Sequence, residues 1–342
     1  MRAEGVEAIV EAETLAIIGV PEIARALPFF WRTFRRLKRA ADERQPDVVV
    51  LVDFPEFNLR LAKALKKRGH RVVYYISPQI WAWRSGRFRI IKDHVEKLLT
   101  ILPFEHAWYG ERGVTNVEYV GSPLVNEVKP TGPKEAFCER HGLDAGNPVI
   151  ALLPGSRRKE IESIFPVMAE AAHQLRQRSP NVHFVVAVAA ERDREIVSQI
   201  LDGRECDSKI TIVVGETYDA VSAADAAAVT SGTATLETGI IGTPMTVVYK
   251  ASRLNYALLR PLIKVPHFGL INLIAGERIV KELIQDDLNG SSLSAELSRL
   301  LEPEVNAEIR AKLLEATSSL GGGGASARAA QAIVALIKNK GA

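Results

Sequence analysis

A chain of 342 residues, 47% of them apolar and 25% charged, has material for about two domains of roughly 150 residues, each with its own core, and is not a disordered polypeptide. The formal net charge of +3 gives no ground for nucleic acid as a partner. Cys138 and Cys206 show neither paired nor metal-ligand spacing, no run reaches the ~20 apolar residues of a membrane span, and the acidic opening lacks a signal-peptide core, so a reducing, cytoplasmic setting is expected.

The first patterned segment runs from Pro21 to Arg44. Ile23, Leu27, Phe30, Trp31, Phe34, Leu37 and Ala41 fall on one helical stripe, while Arg25, Arg32, Arg35, Arg36, Lys38, Arg39 and Arg44 outnumber Glu22, Asp42 and Glu43. Such a helix either lies on an anionic membrane surface, with Phe30, Trp31, Phe34 and Arg35 facing it, or covers a core with its basic face in water. Pro28 is expected to begin or kink it.

Next, a continuous apolar run predicts strand 47–52, buried on both faces as in a parallel sheet, and Asp53 ends it. A carboxylate there is either the N-cap of the following helix or a working group at the carboxyl end of a strand. The pattern continues with a helix from about Glu56 to Lys67 closed by Gly69, strand 71–76, a helix near 85–94, strand 97–102, a helix around Glu105 to Arg112, and strand 117–120. Trp81 and Trp83 suit either an acyl or sugar surface or an aromatic core. After the breaker-rich Lys129-Pro-Thr-Gly-Pro a second alternation follows, with strands near 148–153, 182–188, 210–214, 226–229 and 245–249. The expected fold is α/β, two doubly wound Rossmann-like domains facing a cleft: residues 1–130, residues 147–304, and helices of 305–342 packing across both after the glycine run at 321–324. No internal repeat is found.

Two strand-to-helix turns in the second half invite an anion. Leu152-Leu-Pro-Gly-Ser-Arg closes a strand and opens a helix, so Gly155 and Ser156 offer free N–H groups and Arg157 a bidentate contact to a diphosphate, if the turn is more than a tight connection with a solvated arginine. It is neither a G-x-G-x-x-G fingerprint nor a Walker loop, which counts against nicotinamide cofactors and ATP. The other, Thr230-Ser-Gly-Thr-Ala-Thr-Leu-Glu, offers Ser231, Gly232 and Thr233, with Glu237 able to accept two ribose hydroxyls or, alternatively, to complete a capping box.

These segments resemble those of the lipid-A-disaccharide synthases, glycosyltransferases of the two-domain GT-B type. The resemblance runs through Asp53-Phe-Pro-Glu-Phe-Asn-Leu-Arg-Leu-Ala, Tyr75-Ile-Ser-Pro-Gln-Ile-Trp-Ala-Trp-Arg, Leu102-Pro-Phe-Glu, Gly121-Ser-Pro-Leu, Leu153-Pro-Gly-Ser-Arg, Ser231-Gly-Thr-Ala-Thr-Leu-Glu and Val265-Pro-His-Phe-Gly-Leu-Ile-Asn-Leu-Ile-Ala-Gly. It implies inverting transfer of 2,3-diacylglucosamine from its UDP conjugate to the 6-hydroxyl of 2,3-diacylglucosamine 1-phosphate, giving a β-1,6 disaccharide 1-phosphate and UDP at the inner face of the cytoplasmic membrane. It further implies Asp53 as a base, Asn272 as a contact to donor sugar or diphosphate, no cofactor or metal, and a possible homodimer; His267, in an apolar loop, reads as structural. Family members open with a strand and a Gly-Glu-Ala-Ser-Gly-Asp turn, whereas this chain starts later in the pattern. The first βα unit and part of the acceptor side are therefore expected to be absent, leaving a strand with an unpaired edge. The competing readings are another GT-B UDP-sugar enzyme, a 2-epimerase or wall glycosyltransferase, and an inactive nucleotide- or lipid-binding remnant.

Overall fold

The computed structural model describes residues 5–10, 20–202, 210–252, 256–257, 260, 263 and 265–338, with side chains in the first helix from Pro28 onward. Cys206 and the side chains of Glu22, Ile23, Arg25 and Leu27 lie outside what is described. Two parallel sheets carry the fold. Helix α1 (Val20–Arg44) leads into β1 (Val49–Val52), α2 (Pro55–Lys66), β2 (Val72–Tyr75), a 3-10 turn at Ser85–Arg87 with α3 (Phe88–His94), β3 (Lys97–Thr100), α4 (Pro103–Gly110) and β4 (Val117–Tyr119). Short helices α5 (Leu124–Glu127) and α6 (Lys134–Arg140) connect to β5 (Val149–Leu153), α7 (Arg158–Arg178), β6 (His183–Val188), α8 (Glu191–Leu201), β7 (Ile210–Val214), α9 (Thr217–Ala223), β8 (Ala226–Thr230), α10 (Thr233–Ile241) and β9 (Met245–Tyr249). Then come α11 (Leu270–Ala275), β10 (Glu282–Ile284), α12 (Gly290–Leu300), α13 (Pro303–Ser318) and α14 (Ala325–Lys338).

The first sheet has the order β1-β2-β3-β4 and the second β10-β9-β8-β5-β6-β7. In the second, β5 pairs with β6 on one side and β8 on the other, so the winding reverses between β5 and β8. Ligand crevices open at such a reversal, beyond the carboxyl ends of the strands. Strands β5 and β8 are buried along their whole length, as their unbroken apolar runs demand. Strand β1 departs from the expectation of burial on both faces: it lies at the sheet edge, paired only with β2 among the described residues, and Val50 and Val52 remain 38% and 46% exposed. An apolar run cannot by itself distinguish a central strand from an edge one. Pro103 ends the expected strand 97–102 early, because proline suits the first turn of a helix, and β10 was not foreseen.

Helix α1 resolves its two readings residue by residue. Pro28 lies inside it and does not start it. Thr33 and Ala41 are buried, and Phe34 and Leu37 pack against the core of the first sheet. Phe34 meets the Phe57 ring edge-on at 5.7 Å, so its assignment to a membrane-facing surface is corrected to core packing. Trp31, 56% exposed, faces away, with the Arg35 guanidinium 3.5 Å above its ring. Among the described residues no helix is long and apolar enough to cross a membrane.

The seam between the sheets is apolar: Trp81 and Leu102 from the first half belong to the large cluster built on β5, β6, β8 and α7. Helix α13 packs on α11 and α12 of the second half, whereas α14 returns to the first sheet, where Ala329 joins Val73, Leu99 and Val120.

Candidate active site

Two cavities open along that seam. The larger, about 740 Å³, lies at the β5/β8 reversal and is lined by Gly155, Ser156, Arg157 and Glu160 from one turn, by Ser231, Gly232, Thr233 and Glu237 from the other, and by His267 and Phe268. A second, about 520 Å³, lies beyond the carboxyl ends of β1, β2 and β3 and is lined by Asp53, Tyr75, Ser77, Glu105 and Glu127 among others. Gln79, Trp83, Thr233 and Leu270 line both, so the cavities adjoin.

In the larger cavity the two turns are tied together: Thr230 Oγ1 donates to the Leu153 carbonyl at 2.9 Å, and Ser231 Oγ to that of Phe268 at 2.7 Å. Gly155 has φ 109, and a Cβ there would meet the Glu160 carboxylate at 2.8 Å, so the turn requires glycine. Neither α7 nor α10 has a side chain capping its N-terminus, which leaves backbone N–H groups and two positive dipole ends at the cavity wall. Arg157 is exposed but does not hang free: Nη1 donates to Glu160 Oε1 at 2.7 Å. Nor does Glu237 complete a capping box, since the N-cap is Gly232 and the carboxylate instead accepts from the Tyr218 hydroxyl at 3.0 Å. Burial holds the Glu237 carboxyl above its usual range, against the opposing Tyr218 hydrogen bond, while burial and then the Glu237 charge push Tyr218 up to about 12.

Asp53 stands at the second cavity on a turn with unusual backbone. Asp53 and Phe54 both have left-handed φ, 46 and 47, a region that side chains other than glycine enter at a cost. The capping reading falls, because the N-cap of α2 is Phe54 and no side chain caps that end. Two donors fix the turn through the Asp53 carbonyl: Tyr74 Oη at 2.6 Å and Asn58 Nδ2 at 2.8 Å, the latter also reaching the Val52 carbonyl at 3.1 Å. Tyr74 is fully buried, and burial followed by the Asp53 charge raises its pKa, so its hydroxyl stays protonated and donating. The Asp53 side chain is thereby left exposed at the cavity.

Glu105, expected at a helix start and in the Leu102-Pro-Phe-Glu segment but not among the site residues, lines this cavity while almost wholly buried. It accepts from Trp81 Nε1 at 3.0 Å and from the backbone N–H groups of Ile101 and Leu102 at 3.2 and 3.0 Å, which closes the start of α4. Burial pushes its carboxyl up to about 7 despite those donors. Both tryptophans line the larger cavity, but Trp81 is buried and belongs to the core, while Trp83, 38% exposed, lines the second cavity as well.

Asn272 is corrected more sharply. It is fully buried, its amide donates to the Val280 carbonyl and to Glu282 Oε1, both at 2.9 Å, and its oxygen accepts from Val280 N at 3.0 Å. Glu282 in turn accepts from Phe268 N and Gly269 N. With its polar groups engaged inside the fold, Asn272 holds the 267–270 loop and does not line either cavity. His267 lines the larger one, with Nδ1 buried and without a hydrogen-bond partner among the described residues. Gln79, Tyr74, Asn58 and Glu105 were missed as site residues; the Leu102-Pro-Phe-Glu start of a helix was the one local signal that could have indicated Glu105.

A family model described as lipid-A-disaccharide synthetase matches residues 1–336. A lipid-A-disaccharide synthase of Anaeromyxobacter dehalogenans is 43% identical over 339 residues, covering 99% of this chain and 88% of its own. One from Geobacter sulfurreducens is 38% identical over 338 residues, covering 98% and 87%. Among solved structures, the UDP-GlcNAc 2-epimerase of Neisseria meningitidis bound to UDP-GlcNAc superimposes with a TM-score of 0.63 at 14% identity, covering 95% of this chain and 84% of its own; likeness at that identity speaks for the GT-B-type fold alone.

Proposed function

The chain belongs to the lipid-A-disaccharide synthase family, and from that membership we propose how its two cavities divide the reaction. It is a glycosyltransferase of lipid A disaccharide synthesis that acts on a UDP-sugar. This separates it from the 2-epimerases, with which it shares the fold.

In our reading the second domain, residues 147–304, takes the donor, UDP carrying 2,3-diacylglucosamine, in the cavity at the β5/β8 reversal. The diphosphate lies against the N-termini of α7 and α10, with Ser156, Ser231 and Thr233 beside it. Arg157 turns from Glu160 to the developing charge on the departing UDP, and Glu237 accepts the ribose hydroxyls. The first domain, residues 1–130, takes 2,3-diacylglucosamine 1-phosphate in the cavity at Asp53. Asp53 removes the proton of the 6-hydroxyl as that oxygen attacks the anomeric carbon from the face opposite the diphosphate. The new C–O bond forms, the bond to UDP breaks, and the configuration inverts. Trp31, Arg32, Arg35, Arg36 and Arg39, all exposed, rest on the anionic inner face of the cytoplasmic membrane, where both acylated sugars reside.

The observation that carries this reading is the adjacency of the two cavities, with Asp53 lining one and both anion-suited turns lining the other. The test is turnover of both acylated sugars by Asp53→Asn, expected to fall 10²–10⁴-fold, the usual worth of a general base, at unchanged UDP affinity. Because no side chain caps α2, thermal stability should hardly move. A near-normal rate removes Asp53 from the chemistry.

A further inference from the structure

At the mouth of the Asp53 cavity the loop after β2 meets the start of α2, and charged side chains gather there that no step above uses. Arg87 grips Glu56 with both arms, Nη1 to Oε1 at 2.7 Å and Nη2 to Oε2 at 2.9 Å. Arg84 Nη1 adds a contact to the same Oε1 at 3.0 Å. Arg87, then Arg84 and Arg60, hold the Glu56 carboxyl below its usual range against a desolvation cost. Guanidinium therefore outnumbers carboxylate at this corner. The cavity behind it is the opposite: Asp53, Glu105 and Glu127 line it, and among the described residues no lysine or arginine does. A phosphomonoester cannot settle among three carboxyl groups, so an acceptor that carries one must keep it outside while its sugar ring enters.

The corner is where such a group would remain. Pro55 and Trp83 line the cavity, and the residues that follow them in the chain are Glu56 and Arg84. The Arg84 guanidinium lies 4.4 Å over the Trp83 ring, and its backbone is held at a left-handed φ of 56. That conformation is costly for a side-chain-bearing residue, and such residues collect where a ligand is gripped. The uncapped N-terminus of α2 adds its positive end. Arg84 and Glu56 are half-exposed, so Glu56 can yield its partners to a stronger acceptor.

We propose that Arg84 and Arg87 form a phosphomonoester site at the mouth of the acceptor cavity, taking the anomeric phosphate of the acceptor and so directing its 6-hydroxyl inward to Asp53. The inference rests on the reaction proposed above and deepens it. The planar fork of arginine suits the tetrahedral oxygens of a phosphate, and Glu56 occupies the two forks in competition with it. Phosphate on C1 and hydroxyl on C6 stand at opposite ends of a hexosamine, so gripping one at the rim aims the other at the base.

The experiment compares 2,3-diacylglucosamine 1-phosphate with its dephosphorylated counterpart in detergent micelles at saturating donor, for wild type, Arg84→Gln, Arg87→Gln and Glu56→Gln. Equilibrium binding of the phosphorylated acceptor is measured alongside. Each arginine variant is expected to raise KM for the phosphorylated acceptor about 10- to 100-fold, the range of a lost charge-assisted hydrogen bond, with little change for the dephosphorylated one or in UDP affinity. Glu56→Gln should leave that KM unchanged or lower it. Arg87→Lys, which keeps the charge but not the fork, should give a smaller rise and serves if Arg87→Gln does not fold. Equal loss on both acceptors, or a Glu56→Gln as damaging as Arg87→Gln, overturns the site and makes the cluster a brace of the loop. A wild type that binds the phosphorylated acceptor through these arginines but transfers no sugar keeps the site and overturns the reaction reading.

Discussion

Replacing Tyr74 by Phe removes one hydroxyl and leaves the ring, so it isolates the clamp on the Asp53 turn. Two consecutive side-chain-bearing residues in left-handed backbone cost roughly 1–2 kcal/mol each. The two donors to the Asp53 carbonyl return roughly 0.5–1.5 kcal/mol each, so strain and clamp are of similar size. Without the Tyr74 hydroxyl the carbonyl still accepts from Asn58, which avoids the penalty of a stranded acceptor; the loss should be about 1 kcal/mol of unfolding free energy. If the same amount is lost from the strained arrangement that carries Asp53, kcat falls about fivefold, since 1.36 kcal/mol is a factor of ten in rate. Denaturant unfolding, steady-state kinetics and UDP titration report the three quantities separately. A drop in stability with kcat unchanged would refute the idea that the clamp sets the base, and UDP affinity falling in step with kcat would show a general loosening instead.

Three other outcomes follow from the geometry. Arg157→Ala should weaken UDP binding by about 1.5–3 kcal/mol in calorimetric titration, toward the lower end because wild-type Arg157 must first leave Glu160; unchanged affinity would remove it from the donor site. Glu105 has a folded pKa of about 7, above its unfolded value near 4.5, so its contribution to stability is full below about pH 4.5 and disappears as pH rises to about 7, on the order of 3 kcal/mol in all. Glu105→Gln, compared with wild type by denaturant unfolding between pH 4.5 and 8, should lose that slope. Trp31→Ser should reduce co-sedimentation with anionic vesicles at unchanged melting temperature, whereas Phe34→Ser should lower the melting temperature; the reverse pattern would exchange their assignments to surface and core.

Much of this molecule is legible in local pattern. The apolar runs at 149–153 and 226–229 declare buried strands, though their central place became visible only in the pairing, and the glycine and hydroxyl residues after them declare turns that open helices. Periodicity of that kind survives without knowledge of neighbours, and the order of the quoted segments carried the family. Legibility stopped wherever a side chain's meaning depends on a partner distant in sequence. Whether Asp53 caps α2 was decided by the left-handed turn and by Tyr74, 21 residues away in sequence. Trp81 and Trp83 are chemically identical, yet the first is buried with its indole N–H on Glu105 and the second is exposed where the two cavities meet. Asn272 looked like a ligand group until Val280 and Glu282 took up its amide. Phe34 and Trp31 lie on one stripe by sequence, but the core of the first sheet accepts only the former. The sequence by itself determined most of the strands, the two turns after β5 and β8 and the family; which polar groups remain free to touch a ligand was decided by tertiary contact, because a hydrogen bond made inside the fold is a hydrogen bond withheld from substrate.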